Sequence, residues 1–161
     1  MNFRIGFGYD VHRLEENREF WIGGVKVEHS KGALGHSDAD VLIHAICDAI
    51  LGAACLGDIG LHFPDSSPEY KGIDSKILLR KVTELIYIKA YRIVNVDSTL
   101  ALQRPHISPY IPEMRKVLSE VMGIGIDDVS VKATTTEKLG FEGREEGVSA
   151  YAVVMIERVA Q

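Results

Sequence analysis

Hydrophobic and polar positions alternate strictly over residues 3–12. Phe3, Ile5, Phe7, Tyr9 and Val11 fall on one side, and Arg4, Gly6, Gly8, Asp10 and His12 on the other. A period of two predicts a β-strand. Its polar side ends in a carboxylate and an imidazole, with two glycines clearing space before them. Residues 20–27 read as a short hairpin turning at Gly23 and Gly24. Residues 40–55 are apolar and predict a helix whose Ala45, Ala49, Gly52, Ala53 and Ala54 permit close packing. Glycine, proline and aspartate punctuate residues 57–72, which read as a long loop of the kind that often carries function. A second helix is expected over 75–91, with Leu78, Val82, Leu85 and Ile86 on one stripe.

A strand over 95–103 follows, then a helix opened by Ser108-Pro109 and closed by Gly123. Strands over 129–133 and 147–157 complete the pattern. The last strand is apolar on both sides, with Ala150, Ala152, Val154 and Ile156 on one and Tyr151, Val153 and Met155 on the other. Such a strand has to be covered twice. Helices can cover one side, and a neighbouring subunit is the candidate for the other. The expected class is α+β: a mixed four-stranded sheet with helices on one face, its strand order open.

At 161 residues and 46% hydrophobic, the chain is expected to be a single domain, 1–161, with a real core. Its 18 basic and 23 acidic residues leave a net charge of −5, so neither bulk charge nor a basic stripe points to nucleic acid. A phosphate ligand would have to be held by a local site. No apolar run reaches the roughly 18–20 residues of a membrane span, and the start of the chain reads as strand, not as a signal peptide. Cys47 and Cys55 read as buried free thiols of a reducing compartment. A cytoplasmic protein is expected, or the mature form of an organellar one.

Asp10 and His12 point the same way from one strand and can reach one ion. His44 lies in the apolar helix, and a neutral histidine is a common zinc ligand whose second ring nitrogen needs a partner. Asp40 and Asp48, one helical turn either side, are the candidates for that partner. Three such ligands leave a fourth tetrahedral position for water or substrate. The same residues are also compatible with ordinary strand surface and a core histidine. His36, with Ser37 and Asp38, either caps the helix or touches ligand; His29 and His62 have weaker claims.

Thr134, Thr135 and Thr136 offer hydroxyls and amides that suit phosphate oxygens, and Glu137 suits a hard cation. Lys132 and Lys138 add positive charge nearby, and Arg144 either holds an anion or pairs with Glu145 or Glu146. A strand followed by a threonine-rich cap is the plainer account of the same run. Asp58, Gly60 and Asp65 lie in the long loop and suit polyol hydroxyls, or an ordinary turn.

Five segments, taken in order, closely resemble the 2-C-methyl-D-erythritol 2,4-cyclodiphosphate synthase family: Gly8-Tyr9-Asp10-Val11-His12, residues 35–44 (GHSDADVLIH), Gly57-Asp58-Ile59-Gly60, Phe63-Pro64-Asp65 and residues 132–140 (KATTTEKLG). The resemblance spans nearly the whole chain. It implies cyclisation of 4-diphosphocytidyl-2-C-methyl-D-erythritol 2-phosphate with release of CMP, in the non-mevalonate isoprenoid pathway. It also implies a homotrimer with active sites between subunits, the free face of the sheet packing around the trimer axis. Asp10, His12 and His44 would hold Zn2+, and Glu137 a second cation, Mg2+ or Mn2+, on the diphosphate. With these four, Thr135 joins the catalytic set, and Thr135 and Thr136 bind phosphate.

Ser37, Asp58, Gly60 and Asp65 would hold the erythritol, and His36 would be a further substrate-binding residue. Residues 102–108, including Pro105, with Ala133 and Thr134, would hold cytidine. Tyr9, Phe141, Arg144 and Glu146 would lie near an axial cavity for an isoprenoid diphosphate. One departure is Arg104-Pro105-His106-Ile107, where the family often carries lysine after Ala-Pro. The competing expectations are a zinc-dependent phosphohydrolase, using the same ligands to activate water, and a trimeric isoprenoid-diphosphate binding protein.

Overall fold

The computed structural model describes residues 2–64 and 66–159. Its first strand, β1 (Phe3–Glu16), runs on past the alternating segment. A hairpin of β2 (Phe20–Ile22) and β3 (Val25–Val27) turns at Gly23 and Gly24, as the pattern predicts. The short β4 (Lys31–Ala33) then pairs back onto β1.

The central helix α1 (Val41–Ala53) starts one residue later than expected because Asp40 is its N-cap, accepting the Ile43 N–H. The long loop contains a short helix, α2 (Ile59–His62), and a 3-10 turn at Pro68–Tyr70. Helix α3 (Ser75–Ile88), capped by Asp74, ends before the expected 91, because Tyr91 already belongs to β5 (Tyr91–Ala101). Ser108-Pro109 opens a 3-10 turn, not the helix itself. Helix α4 (Ile111–Met122) follows and stops at Gly123, whose φ of 68° is left-handed. The chain closes with β6 (Val129–Thr134), a short α5 (Gly140–Gly143) and β7 (Gly147–Arg158).

The main sheet has five strands, not four, in the order β4-β1-β7-β5-β6. β5 and β6 are parallel and the other pairs antiparallel, so the sheet is mixed as expected. The fifth strand is β4, whose Lys31-Gly32-Ala33 has too few residues to show a period.

Helix α1 lies directly on β1, and the glycines of the strand explain how. A Cβ on Gly6 would sit 1.8 Å from the Ala49 carbonyl oxygen, and one on Gly8 1.9 Å from that of Ala45. Two residues of strand advance about 6.8 Å and four of helix about 6 Å, so the two glycines match Ala49 and Ala45 in turn. The next residue on that face, Asp10, therefore arrives beside His44.

The glycines thus make room for the helix backbone, and not primarily for the metal ligands. It also follows that the apolar side of β1 is the outer one. Phe3 is 48%, Ile5 69% and Phe7 63% exposed, and Tyr9, Val11, Tyr151 and Val153 share that surface, while Ala150, Ala152, Val154 and Ile156 are buried beneath the helices. The two-sided last strand is covered on one side only within this chain. Cys47 is buried as expected, but Cys55, in a left-handed turn after α1, is exposed.

Candidate metal and phosphate site

Asp10 and His12 extend from the helix-facing side of β1, and His44 descends on them from α1. Asp10 Oδ2 lies 2.9 Å from His12 Nε2 and 3.0 Å from His44 Nδ1, and the two ring nitrogens are 3.1 Å apart. Among the described residues this is the cluster that could hold a metal ion. Bonds of about 2.0–2.1 Å in a tetrahedral zinc site place the donor atoms about 3.3 Å apart, close to these edges.

The outward nitrogens fix the chemistry of the inward ones. His12 Nδ1 lies 3.0 Å from the Leu34 carbonyl, which can only accept, so Nδ1 carries the proton and Nε2 offers a lone pair. His44 Nε2 lies 3.1 Å from Ser37 Oγ and 3.0 Å from Ser75 Oγ. With a proton on Nε2, Nδ1 is bare too. Three electron-rich atoms then face one another with space for a cation, and the residues fit a metal.

The electrostatics of the cluster follow from the same contacts. Burial pushes the Asp10 carboxyl up, but hydrogen bonds and charge from His12 and His44 outweigh it and hold the group at about 2. Burial pushes His44 down, yet the bond and charge of Asp10 leave it raised.

The expected partners of His44 are elsewhere. Asp40 is fully buried and accepts the N–H groups of Gly23, Gly24 and Ile43, fixing the hairpin to the start of α1. Asp48 accepts the Ile59 N–H at 2.8 Å and anchors α2. Ser75 takes the place assigned to them. It is the first residue of α3, and its position beside His44 is set by helix packing between segments far apart in sequence.

The cluster opens into a cavity of about 240 Å³ that His36, Ser37 and Gly60 also line, joined by Phe63, Tyr70 and Ile73. Asp58 caps α2 by accepting the Leu61 N–H at 2.9 Å. Asp65 lies outside the described residues. His62 stays within its own loop, its Nε2 donating to the Leu56 carbonyl at 2.8 Å, and His29 lies off the cluster, lining a different cavity.

That second cavity, about 590 Å³, takes in Arg104, Pro105, His106, Ala133, Thr134 and Thr135, and among the described residues shares no lining residue with the first. The threonine run at its edge, with Thr134 and Thr135 exposed and Thr136 half-buried, is internally bonded. Thr134 Oγ1 donates to the Thr135 carbonyl at 3.1 Å, Thr135 Oγ1 to Glu137 at 3.1 Å, and Thr136 Oγ1 to the Leu139 carbonyl at 2.6 Å. Glu137 and Lys138 both adopt left-handed backbone, with φ of 54° and 64°, a conformation that side chains other than glycine rarely take. Lys132 is tied to Asp97 at 2.7 Å. Arg144 pairs with Glu146, not Glu145, and Phe141 packs where a side chain on Gly147 would stand.

Fold and cluster together define a metal-dependent enzyme. The chain belongs to the YgbB family, which it matches over residues 3–157. It is similar to the 2-C-methyl-D-erythritol 2,4-cyclodiphosphate synthase of Bacteroides fragilis, at 64% identity over 99% of this chain and 100% of that protein. The synthase of Porphyromonas gingivalis is 64% identical over 96% of this chain and 95% of its own length. A solved synthase of the same name, in a CDP-bound form, superposes with a TM-score of 0.89 at 37% identity, covering 96% of this chain and 100% of that one. The role of this chain is that of a cyclodiphosphate synthase in isoprenoid biosynthesis. No helix among the described residues is long and apolar enough to cross a membrane.

Proposed function

We propose that the chain, as one domain over 1–161, folds 4-diphosphocytidyl-2-C-methyl-D-erythritol 2-phosphate back on itself and closes it to the 2,4-cyclodiphosphate with loss of CMP. The convergence of Asp10, His12 and His44 on a cavity carries this reading. The 2-phosphate oxygen attacks the β-phosphorus; the bond from that phosphorus to the oxygen bridging it to the CMP phosphate breaks, and the electron pair leaves with CMP. A phosphate monoester is already largely ionised at neutral pH, so no strong base is required.

Asp10, His12 and His44 would hold Zn2+, and Glu137 a Mg2+ or Mn2+ ion. Bound there, such cations neutralise the phosphates, polarise the reacting bond and stabilise the leaving group. The protein's remaining task is positioning, which can be worth about 7–11 kcal/mol. Ser37, Asp58, Gly60 and Asp65 would hold the erythritol, and His36 would be a further substrate-binding residue. Pro105, Ala133 and Thr134 would hold cytidine, a reading supported by the CDP-bound form of a relative. Thr135 and Thr136 would exchange their internal hydrogen bonds for phosphate oxygens.

The two cavities share no lining residue among the described residues, which favours an active site completed by a second copy. The exposed Phe3, Ile5, Phe7, Tyr9, Val11, Tyr151 and Val153 form a surface that suits burial around a threefold axis. In that homotrimer, Phe141 and Arg144 would border an axial cavity for an isoprenoid diphosphate. A cytoplasmic site of action belongs to the same reading and is supported by the bacterial relatives.

Phosphorus NMR of the purified protein with Zn2+, Mg2+ and substrate is the test. Equimolar CMP and cyclic diphosphate are expected. A linear phosphate would instead make the chain a phosphohydrolase. Metal-independent binding of an isoprenoid diphosphate without turnover would make it a binding protein.

A further inference from the structure

We infer that Asp38 and Ser75 are positioning residues that set the tautomer of His44 and so prepare it to bind metal. The inference rests on the reading of Asp10, His12 and His44 as a metal site.

The Asp38 carboxylate acts only as an acceptor. Oδ2 accepts the Ser75 N–H at 2.9 Å, while Oδ1 accepts the Ser75 hydroxyl and the Asp40 N–H. Ser75 is fully buried, so its hydroxyl proton has no water to turn to. With that proton committed to Asp38, only lone pairs of Ser75 Oγ face His44 Nε2, 3.0 Å away. His44 must then donate from Nε2, and its Nδ1 is left bare beside Asp10 and His12.

A hydroxyl alone would not suffice, since it can donate or accept by rotation. If Ser75 turned its proton to His44, the ring would carry hydrogen on Nδ1, where the metal has to bind. Ser37 Oγ, 3.1 Å from Nε2, accepts the Ala39 N–H and has no carboxylate partner of its own among the described residues, so it does not supply the same constraint. The relay also joins three segments: the loop before α1, α1 itself and the first residue of α3.

Asp38→Leu is the sharp variant. It keeps much the same size but has no acceptor on either arm, so the Ser75 hydroxyl loses the carboxylate that fixes its proton. Two readouts apply: Zn2+ affinity by competition with a chromophoric chelator, and the His44 tautomer in metal-free protein, at a pH high enough that the ring is neutral, by long-range proton–nitrogen NMR. We expect a 10–100-fold loss of affinity, the usual size of an outer-shell effect, and a shift from the Nε2–H to the Nδ1–H form.

Unchanged affinity with Nε2–H retained would overturn the inference. Should Asp38→Leu not fold, Ser75→Ala carries the test, with a smaller loss expected because Ser37 still accepts; wild-type affinity there would overturn it equally. His44→Ala runs beside both. If it binds Zn2+ as well as the parent, the metal-site reading fails and takes this inference with it. If only His44→Ala loses the ion, the metal site stands and the positioning role falls.

Discussion

The Asp10–His12–His44 corner and the 134–138 corner differ in how finished they are. In the first, each side chain is mostly buried, with 24%, 16% and 13% of Asp10, His12 and His44 left exposed, and both imidazoles are held from behind. In the second, the side chains of Thr134, Thr135 and Glu137 are exposed and, among the described residues, bond only to their own neighbours. Its order comes from the backbone, through two successive left-handed residues and the Lys138 N–H donated to Gln103 at 3.1 Å. The lesson is a division of labour. One corner is prepared by folding, its three donor atoms already brought within about 3 Å of one another. The other keeps its groups lightly engaged, so that a ligand can displace bonds worth about 1 kcal/mol each.

The largest effect should come from the prepared corner. His44→Ala removes a ligand, not a supporting group, so metal affinity and turnover should fall by more than the 10–100-fold typical of outer-shell losses. Far-ultraviolet circular dichroism should remain that of the parent. Near-normal turnover in metal-stripped His44→Ala protein would end the comparison. Glu137→Gln should do less. One charge facing a divalent cation about 4 Å away in water is worth about 2 kcal/mol, roughly 10–30-fold in affinity. The Mg2+ concentration for half-maximal turnover should rise by that factor while zinc content stays at the parent level. Loss of zinc instead would mean that the two corners share one ion.

The prepared corner also has a pH signature. Asp10 is held at about 2, so its stabilising contribution is present above its ordinary 3.8 and is lost as pH falls through 2. His44 is raised, so its contribution is complete below its ordinary 6.5 and is lost as pH rises through the raised value. Both describe one shared interaction and are not summed. Metal-stripped protein should therefore lose thermal stability as pH rises above about 6.5. Metal-loaded protein should gain, because its ligands bind only when deprotonated. Melting curves with and without chelator at pH 6 and pH 8 check this: the gap should widen with pH. A gap that narrows would mean the cluster does not bind metal through these donors.

Much of the prepared corner is legible in the sequence because it rests on short periods. The alternation over 3–12 puts Asp10 and His12 on one side, and an imidazole in an otherwise apolar helix marks His44. Alternation does not say which side faces in. Gly6 and Gly8 look like spacers on a polar face, yet their lack of side chains is what lets α1 lie there, and so Ile5 and Phe7 face outward. The supports of His44 are illegible for a different reason. Ser75 meets it across 31 residues, and no local pattern encodes that meeting. Asp40 and Asp48 have the right spacing, but backbone N–H groups without other acceptors claim them first. β4 escapes detection because three residues carry no period. The open corner is legible as a motif, while its function depends on a ligand that neither sequence nor fold supplies.

Substitution of Lys132 should matter least, and it tests whether the open corner exchanges charge as well as hydrogen bonds. Its ammonium stands beside the threonine run but is paired with Asp97 across β5 and β6, both side chains about half exposed. Exposed pairs of this kind contribute about 0.2–1 kcal/mol. Lys132→Met should therefore lower the melting temperature only slightly. If the open corner works by exchanging weak internal bonds for phosphate, the same must hold for charge: Lys132 would leave Asp97 when substrate arrives. KM would then rise in Lys132→Met while stability barely moves. If KM is unchanged as well, the pair is structural, and the proposed phosphate contacts in this corner would fall to the threonine groups and a cation at Glu137.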